Sequence, residues 1–251
     1  MLTSQRKQLI LQRLKNDGQI VARSLSLELD LSEDTIRRDL RELAAEGLLQ
    51  RVHGGALPSS PAVVNFAGRE QLASAGKTAI GRAAAHMIRA GQVAAIDGGT
   101  TAVQLARHIP RDLAATIVTH SPSVAVELLD HPNLEVILIG GKLFKHSVVA
   151  MGAVAREQIA RIRCDIYFMG VTGIHPKSGL TTGDFEEASI KRALSESAAE
   201  TLALLSAEKI GTASPYLVIP LRQLTGMITE KSVAPRLLKP YRAMGISITL
   251  A

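Results

Sequence analysis

The 251-residue chain is long enough for one large domain or two unequal ones, and its 46% hydrophobic residues can form a buried core. It contains no apolar run long enough for a transmembrane helix and no apolar signal region at its start, and its single cysteine, Cys164, excludes an internal disulfide; together these features predict a cytoplasmic protein. The net charge of +6 favours a polyanionic partner, while the scarcity of aromatic residues argues against a stacking platform for single-stranded nucleic acid.

Three helices are predicted near the start of the chain. The first covers Gln5 to Lys15 and is closed by Asn16-Asp17-Gly18, and a second is predicted from Ile20 to Leu29. The third lies within Leu31 to Leu43, with Ser32 as its N-cap and one apolar face made of Ile36, Leu40 and Leu43. Two short helices joined by a tight turn at Asp30, which tolerates left-handed backbone, predict a helix–turn–helix.

The outer face of the third helix carries the candidate contacts to double-stranded DNA. Thr35, Arg37 and Arg38 are predicted to enter the major groove, where an arginine can bind both acceptors of a guanine. Leu48 to Ala56 alternates in polarity around two glycines and predicts a wing, although the glycines could equally form a simple turn. The residues expected to contact phosphates are Ser32, Arg41, Arg51 and His53. The alternative is an amphipathic helix with solvated arginines, and we favour a winged helix–turn–helix domain over residues 1–57.

The remainder of the chain predicts a linker and an α/β domain. Pro58-Ser-Ser-Pro61 is typical of a linker, and residues 58–75 are predicted to be a loosely structured connector. Apolar runs alternate with Ala-rich helical segments over residues 76–251, which predicts a mostly parallel sheet with helices on both faces. The predicted strands are Val93–Ile96, Thr116–Thr119, Val136–Ile139, Ile166–Met169, Leu202–Leu205 and Met227–Thr229, and the predicted helices are Thr78–Arg89, Thr101–Ile109, Val124–Leu129, Val154–Ile162 and Glu186–Thr201.

Glycine, hydroxyl and lysine residues follow the carboxyl ends of these strands, where ligands bind in such sheets. The loop Asp97-Gly98-Gly99-Thr100-Thr101 follows the first strand and opens a helix, so its amides and hydroxyls can hold an anion. The other strand ends carry Thr119-His120-Ser121, Gly140-Gly141-Lys142, Gly170-Val-Thr-Gly173 and Lys209. This pattern predicts a phosphate-bearing small ligand.

Several other chemistries are disfavoured. Ala75-Gly-Lys-Thr78 resembles the end of a P-loop but lacks its first glycine and its strand, and neither a dinucleotide fingerprint nor a nucleophile elbow occurs. The scattered histidines lack zinc-ligand spacing, so no metal and no cofactor is expected. Cys164 lies in an apolar run and is interpreted as an inert buried thiol. Asp184, Glu186 and Glu187 could serve in acid–base chemistry, but acidic residues at a helix N-terminus are the favoured interpretation.

The order of these motifs resembles DeoR-type bacterial transcriptional regulators over essentially the whole chain. The residues that carry the resemblance are Ser32-Glu-Asp-Thr-Ile-Arg-Arg-Asp-Leu40, Arg51-Val-His-Gly-Gly-Ala56, Lys77, the Asp97–Thr101 loop, Val118-Thr-His-Ser121, Gly140-Gly141, Gly170, Gly179-Leu-Thr-Thr182 and Lys209. The resemblance implies a Rossmann-like α/β sensor domain similar to ribose-phosphate isomerases and CoA transferases. It also implies a repressor of a carbohydrate-catabolism operon, controlled by a phosphorylated sugar bound to the sensor.

By the same resemblance, Asp97, Gly98, Gly99, Thr100 and Thr101 would hold the ligand. The residues that would line the same pocket are Lys77, Gly140, Gly141 and Lys209. Two positions depart from the family pattern, since His120 stands where Asn is frequent and Ser206 where an acid is common. These departures leave the effector and the sign of the response open.

A homodimer or homotetramer is expected, because one recognition helix buries too little surface for operator specificity. The alternative to a regulator is a sugar-phosphate isomerase, whose N-terminal helices would serve only for oligomerisation. An isomerase needs a base and an acid beside the sugar. Its relatives carry an aspartate-rich run where this chain has Gly170-Val-Thr-Gly173, so that Asp184, Glu187 and Lys191 would be the remnants. We therefore predict a regulator that is not an enzyme.

Overall fold

The first 58 residues form a small helical domain with a three-stranded sheet. The computed structural model describes the backbone of residues 1–251 and the side chains of all of them but Val63. This domain contains, in chain order, α1 (Thr3–Asp17), β1 (Ile20–Val21), α2 (Ala22–Glu28), α3 (Glu33–Ala45), β2 (Leu49–Val52) and β3 (Gly55–Pro58). Strand β3 lies between β1 and β2 and is antiparallel to both. The winged helix–turn–helix prediction is confirmed.

The predicted second helix is wrong at its start. Ile20 and Val21 form β1 and pair with Ala56 and Gly55 of the wing, so α2 begins only at Ala22. The Ala22 amide donates to Gly54 O at 2.8 Å. The β-branched residues Ile20 and Val21 suit a strand, and the hairpin that they pair with lies far along the chain, out of reach of a local pattern.

Helix α3 begins as predicted. The Ser32 hydroxyl accepts a hydrogen bond from the Thr35 amide at 3.1 Å, and Glu33 and Asp34 occupy the first turn. Asp30 adopts the predicted left-handed backbone, with φ of +52°. Ser32 thus satisfies one of the free amides at the helix start and sets where the exposed face of α3 begins.

The second domain is built on a seven-stranded sheet. Its helices are α4 (Phe66–Gln71), α5 (Ser74–Ala85), α6 (Thr100–Arg107), α7 (Pro122–Glu127), α8 (Ala153–Ala160), α9 (Phe185–Glu196) and α10 (Pro235–Ala243). Its strands are β4 (Val93–Ile96), β5 (Ala115–Thr119), β6 (Leu134–Leu138), β7 (Lys142–Phe144), β8 (Val149–Met151), β9 (Cys164–Gly170), β10 (Gly173–His175), β11 (Gly179–Thr182), β12 (Ala198–Leu205), β13 (Tyr216–Ile219), β14 (Gly226–Thr229) and β15 (Ser247–Leu250).

The large sheet has the order β15-β14-β12-β9-β4-β5-β6, and all its pairings are parallel. Alternate residues of the central strands belong to two separate cores: Phe168 packs with Ile80 and Leu105 on one face, and Tyr167 packs with Ile159 and Leu194 on the other. Helices therefore cover both faces, which confirms the predicted α/β class and explains why the strands are uniformly apolar.

The structure departs from the predicted elements around this sheet. The predicted helix Glu186–Thr201 ends at Glu196, because Ala198 to Thr201 extend β12 and pair with β9. The edge strand β15, the hairpin β7–β8 and a small sheet of β10, β11 and β13 were not predicted. These strands are short, and they form through partners distant in sequence, so a local pattern indicates them poorly.

The connector is more ordered than predicted. Residues 58–75 contain a 3₁₀ turn (Pro61–Val63), helix α4 and the start of α5. Asn65 caps α4 by accepting from the Gly68 amide at 3.0 Å, and the Phe66 amide donates to His146 O at 2.9 Å. The connector thus packs along the second domain. Among the residues described, no helix has the length and apolarity needed to cross a bilayer.

Candidate nucleic-acid interface and anion cavity

The outward face of α3 presents arginines to solvent. Arg37, Arg38 and Arg41 are all exposed, and Thr35 is half-exposed beside the N-cap Ser32. Arg37 is held by Glu33 of its own helix at 2.7 Å. Among the side chains described, no carboxylate lies within ion-pair distance of Arg38 or Arg41. Two of the three helix guanidinium groups are therefore available to an anionic partner, and the third pairs only within its own helix.

A buried ion pair fixes the direction of this face. Asp39, on the inward side of α3, is completely buried and binds Arg6 of α1 through both carboxylate oxygens, the Arg6 Nη2 to Asp39 Oδ1 distance being 3.0 Å. The paired charges raise the pKa of Arg6, chiefly through this hydrogen bond. Next to this pair, Lys7 contacts Glu42 at 3.0 Å and Glu46 at 3.2 Å. α1 thus holds α3 by charge as well as by apolar packing.

The wing lies beside α3, as predicted. Arg51 on β2 pairs in register with Ala56 on β3, and Gly54 closes the hairpin with φ of +78°, a conformation suited to glycine. Arg51 and His53 are exposed, and with Arg37 they line a groove between helix and hairpin. The seven residues predicted to contact DNA thus lie together on α3 and the wing, while their roles in binding remain predictions.

A cavity that is partly open to solvent lies at the carboxyl ends of β4 and β9. It is lined by Ala62, Arg69, Leu72, Lys77, Gly98, Gly99, Thr100, Thr101, Ala102, Ser147, Gly170, Val171, Thr172, Thr182, Glu187, Lys191 and Lys209. This is the edge of the sheet at which the sequence predicted ligand binding.

Buried cations outnumber buried carboxylates around this cavity. Among the side chains described, the cations that line it, each less than a tenth exposed, are Arg69, Lys77, Lys191 and Lys209. The buried carboxylates are Glu187, which lines it, and Asp97, which lies behind it. Glu208 nearby is half-buried and accepts from Ser206 at 2.5 Å. The excess of buried positive charge is unfavourable on its own, and an anionic ligand would relieve it.

Asp97, which was predicted to contact the ligand, does not line the cavity in this structure, and that contact remains a prediction. Its side chain is completely buried and has four partners: the Gly98 amide and His120 Nε2, each 2.8 Å from Oδ1, and the Gly170 amide at 2.7 Å and Lys191 Nζ at 2.6 Å from Oδ2. Burial would raise the pKa of Asp97, but Lys191 and His120 outweigh burial and hold it well below its usual range. Asp97 therefore organises the loop that lines the cavity.

The loop after Asp97 offers several hydrogen-bond donors at the start of α6. Gly99, with φ of +106°, is the N-cap of α6, and no side chain caps the helix there. The Thr101 hydroxyl is buried and has no hydrogen-bond partner among the residues described. Backbone amides at a helix start, together with an unpartnered hydroxyl, form a site suited to phosphate oxygens.

The structure brings together Lys77, Gly98, Gly99, Thr100, Thr101 and Lys209, but it separates Gly140 and Gly141 from them. The Gly140 amide donates to Gln158 Oε1 at 3.0 Å, and Gly141 leads into β7. These glycines follow β6, the edge strand of the sheet, whereas the cavity lies at β4 and β9, two strands further in. These two glycines therefore lie outside the lining of this cavity, and their role in effector binding remains a prediction.

Several residues of the cavity were not predicted as ligand contacts. Arg69 lies in a segment expected to be loose, and its helix α4 carries it to the cavity. The predicted acidic residues at the start of α9 have different environments. Asp184 is the N-cap of α9 and accepts from the Glu187 amide at 2.8 Å, while the Glu187 side chain is buried and accepts from Thr182 at 2.5 Å. The i, i+4 spacing of Glu187 and Lys191, whose charged atoms lie 3.7 Å apart, is the signal that could have found both.

Burial lowers the pKa of two of the lysines that line the cavity. It lowers the pKa of Lys209 to about 8, with Lys77 and Arg69 acting in the same direction and Glu208 opposing them. Burial likewise lowers the pKa of Lys77, whose ammonium donates to the Arg69 carbonyl.

Away from the cavity, burial raises the pKa of the Cys164 thiol to about 11, which agrees with its interpretation as an inert thiol.

Comparisons with known proteins match both halves of the chain. A family model described as a DeoR-like helix-turn-helix domain matches residues 6–61, and one described as the DeoR C terminal sensor domain matches residues 72–231. The chain is 34% identical over 255 residues to the HTH-type transcriptional regulator GlpR from Haloferax volcanii, covering 99% of this chain and 98% of that protein. It is 32% identical over 212 residues, 84% of each chain, to the glycerol-3-phosphate regulon repressor from Escherichia coli (strain K12). Among solved structures it is similar to ribose 5-phosphate isomerase A from Methanocaldococcus jannaschii, with a TM-score of 0.39 and 14% identity over 53% of this chain and 52% of that one.

Proposed function

This chain belongs to the DeoR family of transcriptional regulators, and from that premise we propose that it represses a carbohydrate-catabolism operon under the control of a phosphorylated sugar. The observation that carries the proposal is the pairing of two features in one chain. One is an exposed arginine face on a winged helix–turn–helix, and the other is a partly open cavity whose buried side chains carry an excess of positive charge. The first suits operator DNA and the second suits a small anion.

In the proposed complex with DNA, some side chains of α3 and the wing contact bases and others contact phosphates. Arg38 and Thr35 face the major groove and contact base edges, with Arg37 joining them when DNA displaces Glu33. Ser32, Arg41, Arg51 and His53 contact phosphates and fix the register of α3 in the groove. The protein acts as a homodimer or homotetramer, because a two-fold assembly presents two recognition helices to two half-sites.

The ligand is a phosphate monoester of a polyhydroxylated carbon chain. Phosphate oxygens lie at the start of α6, beside the Thr101 hydroxyl and the ammonium groups of Lys77 and Lys209. Thr172, Thr182 and Glu187 also line the cavity and offer acceptors and hydroxyls for sugar hydroxyl groups. The relative from Escherichia coli is named as the repressor of a glycerol-3-phosphate regulon, and glycerol 3-phosphate is a ligand of this chemical class.

The cavity carboxylates favour binding over proton transfer. Both oxygens of Asp97 are held by two donors each, and Glu187 is bound by Thr182 and neighbours Lys191. Burial would raise the pKa of Glu187, but Lys191 outweighs burial and lowers it. A general base must reach a proton on the substrate, and these carboxylates are instead committed to holding the protein's own cations. We therefore propose a cytoplasmic regulator that is not an enzyme.

The test begins with selecting the operator from random-sequence DNA with the full chain. Fluorescence anisotropy then measures affinity for the selected duplex at fixed salt, with and without a panel of triose, pentose and hexose phosphates. We expect sequence-specific binding, and a change of about tenfold in DNA affinity with one sugar phosphate but not with its unphosphorylated sugar. Failure to select any sequence would refute the DNA-binding part, and indifference to every phosphate ester would refute the sensor part.

A further inference from the structure

The segment that joins the two domains, Ser59–Leu72, is anchored on the walls of the anion cavity and is here termed the strap. At its start, Ser59 forms a bridge with Ala213, and the Ser60 hydroxyl donates to the carbonyl of the cavity residue Thr172. Further along, the Phe66 amide donates to His146 O at 2.9 Å. Ala62, Arg69 and Leu72 of the strap line the cavity. The strap is therefore part of the cavity wall as well as a connection.

Arg69 is the charged residue that the strap contributes to the cavity. Its side chain is 9% exposed, yet its hydrogen bonds come from Nη2 alone, to His146 O and Ser147 Oγ, both at 3.3 Å. Among the side chains described, no carboxylate lies within ion-pair distance of it. Since a guanidinium has five N–H donors and stays charged in proteins, Arg69 is a buried cation with donors to spare and no counter-ion. A phosphate offers oxygens in the geometry that its fork binds.

Arg69 lies in the short segment between the two regions that the family models match. The two family models match residues 6–61 and 72–231, so Arg69 lies between them and belongs to neither matched region. Just before the strap, Pro58 ends the wing strand β3, and its carbonyl accepts from the Ala213 amide at 3.2 Å. Eleven positions therefore separate the last residue of the wing hairpin from a buried cation of the cavity.

We propose that Arg69 is itself a ligand of the effector's phosphate, and that binding it fixes the strap against the cavity and so changes the placement of the wing. This inference rests on the proposed function. A ligand shifts an equilibrium only if it binds the two arrangements differently, and a contact from the strap supplies that difference directly. Bound phosphate adds charge-assisted hydrogen bonds to the Arg69 fork, so ligand binding favours the position in which the strap lies against the cavity.

The experiment uses the full chain and the variants R69Q, R69K and R82Q. Arg82 is an exposed arginine on α5 and serves as the matched control. The probes are inorganic phosphate and the sugar phosphate that most stabilises the unsubstituted chain in a thermal-shift screen. Calorimetry measures probe affinity, anisotropy measures the DNA response at saturating probe, and hydrogen exchange follows the amides of residues 66–72.

For R69Q we expect probe affinity to fall about 10- to 100-fold, because charge-assisted hydrogen bonds to phosphate are lost. DNA affinity without probe stays within about twofold of the unsubstituted chain, and saturating probe no longer changes it. R69K keeps the charge without the fork and gives intermediate values, whereas R82Q behaves as the unsubstituted chain. In the unsubstituted chain, probe slows exchange of residues 66–72, which gives a readout that does not depend on a variant folding.

The outcomes separate the two proposals. If the unsubstituted chain binds no phosphate ester, the proposed effector class is refuted, and the role of Arg69 falls with it. If the chain binds the probe and R69Q binds it equally well, Arg69 is not a ligand, while the proposed function stands. If R69Q binds weakly but its DNA affinity still responds fully at saturation, the strap does not carry the response.

Discussion

Lys191 donates a 2.6 Å hydrogen bond to Asp97, 94 positions earlier in the chain, and both residues are buried at the carboxyl end of the sheet. Burial would lower the pKa of Lys191, but the charges of Asp97 and Glu187 outweigh burial and raise it. Through Asp97, this ammonium also supports the Gly98 amide and His120. The shape of the anion cavity therefore depends on a charged pair in which Lys191 lines the cavity and Asp97 lies behind it.

Replacing Asp97 by asparagine should damage both stability and ligand binding. Each Asp97 oxygen accepts from two donors, so the amide nitrogen of Asn would face donors in either orientation, and Lys191 would lose the negative charge 2.6 Å from its ammonium. We expect a loss of about 3 to 5 kcal/mol in unfolding free energy, measured by urea denaturation. The control is the exposed Asp112→Asn, expected to change stability by about 0.5 kcal/mol or less. Equal stability of the two variants would contradict this account.

The buried ion pair of the DNA-binding domain should contribute much more to stability than an exposed ion pair does. Asp39→Ala leaves the Arg6 guanidinium buried without its counter-ion, whereas Glu157→Ala removes only an exposed pair with Arg161. We expect a loss of about 3 kcal/mol or more for Asp39→Ala and about 0.5 kcal/mol or less for Glu157→Ala. Circular dichroism during urea unfolding measures both. DNA binding should also weaken for Asp39→Ala, since α1 would no longer hold α3 by charge.

Arg38 and Arg37 should differ in what they contribute to DNA binding. Arg38→Ala should weaken operator binding by about 1 to 3 kcal/mol, mostly at one base position. Arg37→Ala should cost less, because Arg37 must first leave Glu33, which lies 2.7 Å away. Anisotropy with the selected operator and its single-base variants, at one salt concentration, tests this. Unchanged affinity of Arg38→Ala would remove that residue from the interface.

The affinity for phosphate esters should fall as pH rises beyond about 8. The pKa of Lys209 is lowered to about 8 in the folded, ligand-free chain. Above that pH the Lys209 side chain is mostly neutral, so it must take up a proton when the chain binds a phosphate ester. Calorimetry in buffers of different ionisation enthalpy should show proton uptake near pH 8. Lys209→Met should bind more weakly and lack the fall that begins near pH 8.

Lys209 should also affect how the stability of the ligand-free chain depends on pH. Because its folded pKa lies below the ordinary value of 10.5, the unfolded chain binds more protons between about pH 8 and 10.5. The penalty of the buried charge is present in full below pH 8 and is relieved as pH rises through that window. The ligand-free chain should therefore lose less stability above pH 8 than Lys209→Met does, as measured by urea denaturation across this range.

Thr101→Val separates ligand binding from folding. The buried Thr101 hydroxyl has no partner among the residues described, so replacing it by a methyl group should leave ligand-free stability unchanged or raise it. If the hydroxyl donates to phosphate, the affinity for a phosphate ester should fall about 5- to 20-fold. Thermal unfolding and calorimetry measure the two effects. A stability loss with unchanged affinity would show that the hydroxyl has a structural partner instead.

Features that depend on neighbours in sequence were predictable from the chain. The N-cap at Ser32, the apolar stripe of α3 and the left-handed turn at Asp30 are all local, and each was confirmed. The central strands were also predictable, because a sheet covered on both faces requires uniformly apolar runs. Even the edge of the sheet that holds the cavity followed from parallel topology, since strand ends of one polarity lie together.

The tertiary structure decided which strand ends meet and which side chains line the cavity. Strand order places β4 beside β9 and sends β6 to the edge, so Lys77 and Lys209 join the cavity while Gly140 and Gly141 do not. Asp97 turns inward because Lys191 and His120, both distant in sequence, supply its partners. Arg69 reaches the cavity because the connector folds against the second domain, and the pairing of charges across such distances leaves no periodic trace in the sequence.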